Sequence, residues 1–219
     1  MAAKIAQLFA DSRRALLTML GIQAVIWSVQ VLNWLDDYGL SREFGLRTEQ
    51  VGDLPEIFTS PFLHFSWSHI EANSWPLFVL GFLSAYRGMR KFLLASLVIT
   101  VSGGLLVWLL ESPNTVTAGA SGMVYGYLGY VVLRGLLDRN VLDAVVGIVV
   151  AVVYSTILIG VLPVTPGVSW LGHLGGLIGG LAAAVLLRDR SAAKPAAPQG
   201  TAPTGPGSAL LKQLDELGL

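Results

Sequence analysis

The stretch Thr117-Ala118-Gly119-Ala120-Ser121-Gly122-Met123-Val124-Tyr125-Gly126 decides how the rest of the chain is read. One Ser stands among small residues at the start of an apolar helical run. Small neighbours let backbones come close and leave the hydroxyl uncovered. A nucleophilic Ser needs that access, a nearby base and backbone N–H donors. The same composition also describes a packing seam between membrane helices, the small-xxx-small pattern. Both readings stand on this stretch alone, and the surrounding chain has to choose between them.

Of the 219 residues, 53% are hydrophobic and 13% are charged, against a charged share of about 25% in soluble domains. The charges cluster between long apolar runs. The fold class this implies is all-α, a polytopic membrane protein surrounded by lipid bilayer. A net charge of +0 gives no reason to expect a nucleic-acid partner. The absence of Cys excludes disulfides, a thiol nucleophile and a thiolate metal site. The three His are too far apart in sequence to read as a metal cluster, so neither metal nor cofactor is expected.

Outward from the central stretch, six apolar runs predict six transmembrane helices, over 16–35, 68–86, 92–110, 119–133, 144–162 and 168–187. Residues 1–15 read as a mildly basic cytoplasmic segment, 16–188 as the membrane domain and 189–219 as an Ala/Pro/Gly-rich flexible tail. The first run is longer than a signal-peptide core and no small-residue cleavage site follows it, so it is read as a span. Gln23, Gln30 and Asn33 within it require a face turned to protein or water. The connection 36–68 is acidic and then aromatic, which suits the membrane interface. Ser68 with Glu71 three residues on reads as a capping box for the second helix, and Pro76 predicts a kink within it. At the far end, Leu210, Leu211, Leu214 and Leu217 fit one side of a short amphipathic helix, too short to be stable alone.

Charge gives the orientation. With six spans and both termini in the cytoplasm, Arg42 and Arg47 alone among the 14 Lys and Arg face outside. The second, fourth and sixth helices then run inward, each ending at an Arg. Ser121 lies thirteen residues before Arg134, His173 fifteen before Arg188 and Asn73 fourteen before Arg87. At 1.5 Å per residue each side chain stands about 20 Å above the inner interface. His69 is one turn above Asn73 on the same face. Polar groups in one layer of a hydrocarbon core about 30 Å thick point to a shared, hydrated cavity. Taken singly, His173 fits a packing role and Asn73 an interhelical bond. The glycines Gly172, Gly176 and Gly180, with Gly175 and Gly179, let the sixth helix approach another very closely, and Gly122 and Gly126 offer a matching surface on the fourth.

These residues resemble the rhomboid intramembrane serine proteases from about residue 58 to 187. Gly119-Ala120-Ser121-Gly122 matches the family's GxSG motif. His173 followed by Gly176 and Gly180 matches its final-helix pattern, and His69-x-x-x-Asn73 its second-helix pattern. The resemblance implies a six-helix rhomboid-like bundle and a serine endopeptidase with a Ser–His dyad. In it Ser121 would be nucleophile and His173 general base and acid. His69, Asn73 and the Ser121 N–H would hold the oxyanion, and Tyr125 would stack on His173. Gly119 belongs to the nucleophile motif, and His64 matches a loop His of structural or oxyanion-supporting role. The substrates implied are single-pass transmembrane proteins of the cell membrane, cut near their outer end. In the first loop Pro55 and Glu56 stand where many members carry Trp-Arg. A catalytically inactive rhomboid-like binding or trafficking factor is the alternative. A transporter fits less well, because the one carboxylate inside a predicted span is Glu71 and no repeat relates the two halves.

Overall fold

The computed structural model describes residues 2–138, 140–188, 213, 214, 216 and 217. Six helices of thirteen residues or more carry the fold: α1 (Ala2–Leu35), α2 (Trp67–Tyr86), α3 (Met89–Leu110), α4 (Ser121–Leu137), α5 (Val141–Val153) and α6 (Trp170–Leu186). Both α1 and α3 are long and apolar enough to cross a membrane. The pair formed by α5 and the 3₁₀ segment Ser155–Val161 passes the same test if counted as one span. The protein is an integral membrane protein of all-α class. Among the described residues the only sheet is the antiparallel pair β1 (Leu46–Arg47) and β2 (Val116–Thr117). Residues up to Arg188 form one compact unit and Asp189–Leu219 a second. The linker 191–207 and most of the expected terminal helix lie outside the described residues. Within the latter, the Leu217 N–H donates to the Gln213 carbonyl at 3.2 Å.

The structure corrects three helix expectations. First, α1 starts at Ala2 and not at residue 16, so the basic segment is its opening turns. No Gly or Pro interrupts residues 2–20, good helix formers dominate, and Gln7 donates to Asp11 one turn on at 3.0 Å. Second, the cap of α2 is Ser66, whose hydroxyl accepts the His69 N–H at 3.1 Å. Ser68 sits inside the first turn and Glu71 is exposed, so they form no capping box. Trp67 is drawn into the helix by tilted contacts with Trp27 and Trp34, both with ring centroids 6.0 Å away. Third, the expected fifth helix is broken, with a 65° bend between α5 and Ser155–Val161. At the break the Ser155 hydroxyl donates to the Val152 carbonyl at 2.8 Å, a bond that competes with the helical ladder. Pro76 lies inside α2, which continues through it.

The polar face of α1 does turn to protein. Gln23 donates to the Ser74 carbonyl at 2.6 Å, and Gln30 and Asn33 are fully buried. The glycine seams of α6 divide between two neighbours. A Cβ on Gly176 would overlap the Gly122 carbonyl, and one on Gly180 the Gly126 carbonyl, so this row lies backbone to backbone on α4. Gly175 and Gly179 face α3, where a Cβ would stand 2.9 Å from the Cα of Gly103 and of Ile99 respectively. No side chain fits either row, which fixes α6 between α3 and α4.

Beyond the far ends of these helices lies an ionic cluster. Arg134, 2% exposed, bonds Asp138 at 2.8 Å and the Leu187 carbonyl at 2.6 Å. Arg87 bonds Asp138 at 2.7 Å and Asp143 at 3.2 Å. Arg134, which the sequence suggests as a marker of the interface, is thus buried and joins α4 to the end of α6, while Arg87 adds α2 and α5.

Candidate active site

The turn before Ser121 is shaped by Gly119. Its φ of 135° is open to Gly, and a Cβ there would sit 2.8 Å from the His69 ring. The Gly119 N–H is held by the Ser60 carbonyl at 2.9 Å. Two residues later Ser121 opens α4 as its first helical residue. Its backbone N–H therefore belongs to the first turn, where intrahelical acceptors are lacking.

His173 sits in the first turns of α6. Ser169 caps that helix, its hydroxyl accepting the Gly172 N–H at 3.1 Å. The Nε2 of His173 is 2.8 Å from Ser121 Oγ, and its Nδ1 is 2.8 Å from the Gly160 carbonyl oxygen. A carbonyl only accepts, so in the neutral ring Nδ1 carries the proton and Nε2 presents its lone pair to the Ser hydroxyl. Tyr125 stacks on the imidazole at 4.2 Å and 13°, and its hydroxyl donates to the Ile157 carbonyl. Ile157 and Gly160 both belong to the 3₁₀ segment after the bend. The break in the fifth helix thus delivers the two carbonyls that hold His173 and its aromatic neighbour.

Asn73 is buried and its Nδ2 has no acceptor among the described residues. His69, Asn73, Gly119, Ser121, Gly122 and His173 line one cavity of about 720 Å³. Tyr125 packs beside the cavity through His173. His64 lies behind the turn that leads into Ser121, fully buried, where its Nε2 accepts the Ala120 N–H at 3.3 Å. Its ring meets His69 edge-on at 4.9 Å. Burial, and secondarily the charge of His69, push the His64 imidazole down to about 3, so it stays neutral around pH 7. The His64 carbonyl accepts from Asn33 at 2.8 Å and Ser41 at 3.2 Å. A buried polar chain thereby runs from α1 to the residue before Ser121.

Sequence reasoning missed Gly160, Ser41 and the pair Glu111–Ser169. It gave Asn33 a protein- or water-facing side as an amide inside an apolar run, but not its bonds to Ser41 and His64. Gly160 acts through its backbone, which leaves no mark in residue identity. Chemically, the arrangement joins a hydroxyl to an imidazole with a free lone pair. It sets these beside an unpaired amide donor and a helix N-terminus. Those are the parts of acyl transfer: nucleophile, base and oxyanion donors.

A family model described as Rhomboid domain matches residues 51–190. An uncharacterized protein of Mycobacterium tuberculosis is 38% identical over 178 residues, 78% of this chain and 74% of that protein. The rhomboid protease GluP of Bacillus subtilis is 30% identical over 137 residues, 62% of this chain and 26% of its own length. Rhomboid-like protease 5 of Toxoplasma gondii is 33% identical over 138 residues, 62% of this chain and 16% of its own length. The motifs around Ser121, His69 and His173 all fall inside the matched region, and the chain belongs to the rhomboid family.

Proposed function

We propose that this protein is an intramembrane serine endopeptidase acting on single-pass membrane proteins. The observation that carries the reading is the 2.8 Å contact of Ser121 Oγ with a His173 Nε2 whose tautomer the Gly160 carbonyl dictates. In this mechanism the Ser121 oxygen attacks the scissile carbonyl carbon while its proton passes to Nε2. The oxyanion takes bonds from the Ser121 N–H, the Asn73 amide and His69. The C–N bond then breaks, and His173 hands its proton to the leaving amine. A water, giving a proton to His173, attacks the acyl carbon; the ester bond to Ser121 Oγ breaks and His173 returns its proton to that oxygen. No carboxylate partners the imidazole in this scheme; the Gly160 carbonyl takes the orienting position.

The reading includes six spans, formed by α1 to α4, the bent pair of α5 with Ser155–Val161, and α6. Both termini lie on the cytoplasmic side of the cell membrane, and the cavity opens outward beneath the loop 163–167. The test is cleavage of a transmembrane substrate in proteoliposomes. Wild type is expected to cut it, and Ser121→Ala and His173→Ala to lose that activity. Undiminished cleavage by either variant sinks the dyad. Failure of wild type both to cleave and to be labelled at Ser121 by a fluorophosphonate leaves the non-catalytic binding role in its place.

A further inference from the structure

One charged side chain lines the cavity. Among the described residues facing it there is no Lys or Arg, and the single carboxylate is Glu111, just past the end of α3. Glu111 is held in place from two sides. One oxygen accepts the Ser169 hydroxyl at 2.7 Å and the other the Ser112 N–H at 3.2 Å. A carboxylate offers about four lone-pair positions, so two remain for a further donor. No ion pair occupies them among the described residues, although Glu111 is only partly exposed. The carboxylate is thus oriented by its neighbours and left without a cation, in a cavity whose other walls are neutral or His.

Its distance from the reacting atoms suits contact with a bound chain. Ser169 precedes His173 by four residues of α6, so Glu111 stands about 6 Å along the helix axis from the imidazole. An extended peptide advances about 3.3 Å per residue. Two or three residues of substrate cover that span, and a Lys or Arg side chain adds reach.

We propose that Glu111 is a specificity-determining residue that selects substrates bearing a cationic side chain within three residues of the cleaved bond. The proposal rests on the protease reading and adds a substrate class to it. Its competitor is a purely structural role, in which Glu111 clamps the end of α3 to the capped start of α6 through Ser169. The two roles differ in charge dependence. Glu111→Gln keeps an acceptor for the Ser169 hydroxyl and removes the charge.

The experiment uses the full chain in proteoliposomes. Transmembrane peptides carry Arg, Gln or Glu at each of the three positions on either side of the cut, and both cleavage and binding to Ser121→Ala by fluorescence anisotropy are read. At one or more positions the kcat/KM of wild type for the Arg peptide is expected to exceed that for the Glu peptide about tenfold, as a charge-assisted contact in a half-exposed site gives. The preference shrinks as salt is raised. Glu111→Gln brings the ratio close to one, and Glu111→Lys turns it toward Glu. Equal treatment of Arg and Glu peptides by wild type at all six positions overturns the proposal. So does a ratio unchanged in Glu111→Gln, which is what a clamp predicts. If wild type cleaves no peptide, the protease reading fails by itself and the binding arm decides. A charge preference abolished by Glu111→Gln in the Ser121→Ala background supports the proposal, and equal affinities overturn it.

Discussion

Replacing Gly176 by Ala tests whether backbone contact between α4 and α6 sets the spacing of Ser121 and His173. The new Cβ overlaps the Gly122 carbonyl oxygen and stands 2.8 Å from its carbon. Carbon atoms rest at about 3.5 Å or beyond, so the helices part by about 0.7 Å from the carbon alone and about 1 Å with the oxygen included. Gly122 is the neighbour of Ser121, and His173 lies one turn from Gly176. The displacement therefore lands on the 2.8 Å contact of the two side chains and takes it past hydrogen-bond range, about 3.2 Å. A misplacement of about 1 Å costs about 100-fold in rate. The overpacking costs about 1–3 kcal/mol of stability, partly offset by the better helix propensity of Ala. The assay pairs kcat in proteoliposomes with thermal unfolding. Gly103→Ala serves as control, because its Cβ comes no closer than 3.4 Å to any atom. Unchanged kcat in Gly176→Ala refutes the seam as the spacer of the dyad. Equal losses in both variants refute its specificity.

Other outcomes follow from the same geometry. Tyr125→Phe keeps the stacking on His173 and loses the bond to Ile157, so its kcat falls less than that of Tyr125→Ala, which loses both; the reverse order in a cleavage assay removes stacking from the account. Arg134→Ala takes one of two Arg partners from the part-buried Asp138, which keeps Arg87, and the donor from the Leu187 carbonyl, and lowers stability by about 1–3 kcal/mol in a denaturation series, whereas Asp11→Ala at the exposed pair with Arg14 changes it by under about 1 kcal/mol. Because the folded-state pKa of His64 is held near 3 and the unfolded value is 6.5, the unfolded chain takes up the proton first as pH falls. Stability from this group is present in full above pH 6.5 and declines below it by about 1.4 kcal/mol per pH unit until about pH 3. His64→Gln flattens that part of the unfolding profile, and an unchanged profile excludes His64 as its source.

How much of this was legible depends on whether a feature resides in side chains. The glycine rows on α4 and α6 were readable because small residues at four-residue spacing have one geometric consequence, close approach. That His69, Asn73, Ser121 and His173 come to one cavity was readable from helix rise combined with the charge pattern. The cap of α2 was misplaced by two residues, since Ser66 and Ser68 carry equal local propensity and a tertiary contact of Trp67 decides between them. The bend after Val153 was invisible because an apolar run reads alike whether straight or broken. With it went Gly160, whose carbonyl orients His173. The pairing of Arg134 was not legible, because a sequence shows charge and does not show whether that charge is buried and paired.

The ionic cluster at the far ends of the helices has a mechanical consequence. It rivets α4 to the end of α6 through Arg134, Asp138 and Leu187. Ser121 lies thirteen residues from that rivet, a lever of about 20 Å. A tilt of α4 by about 3° about it moves the Ser121 end by about 1 Å on that lever. A small angular change at that rivet is therefore magnified where Ser121 meets His173, and an error in the ionic cluster far from the cavity reaches the 2.8 Å contact there.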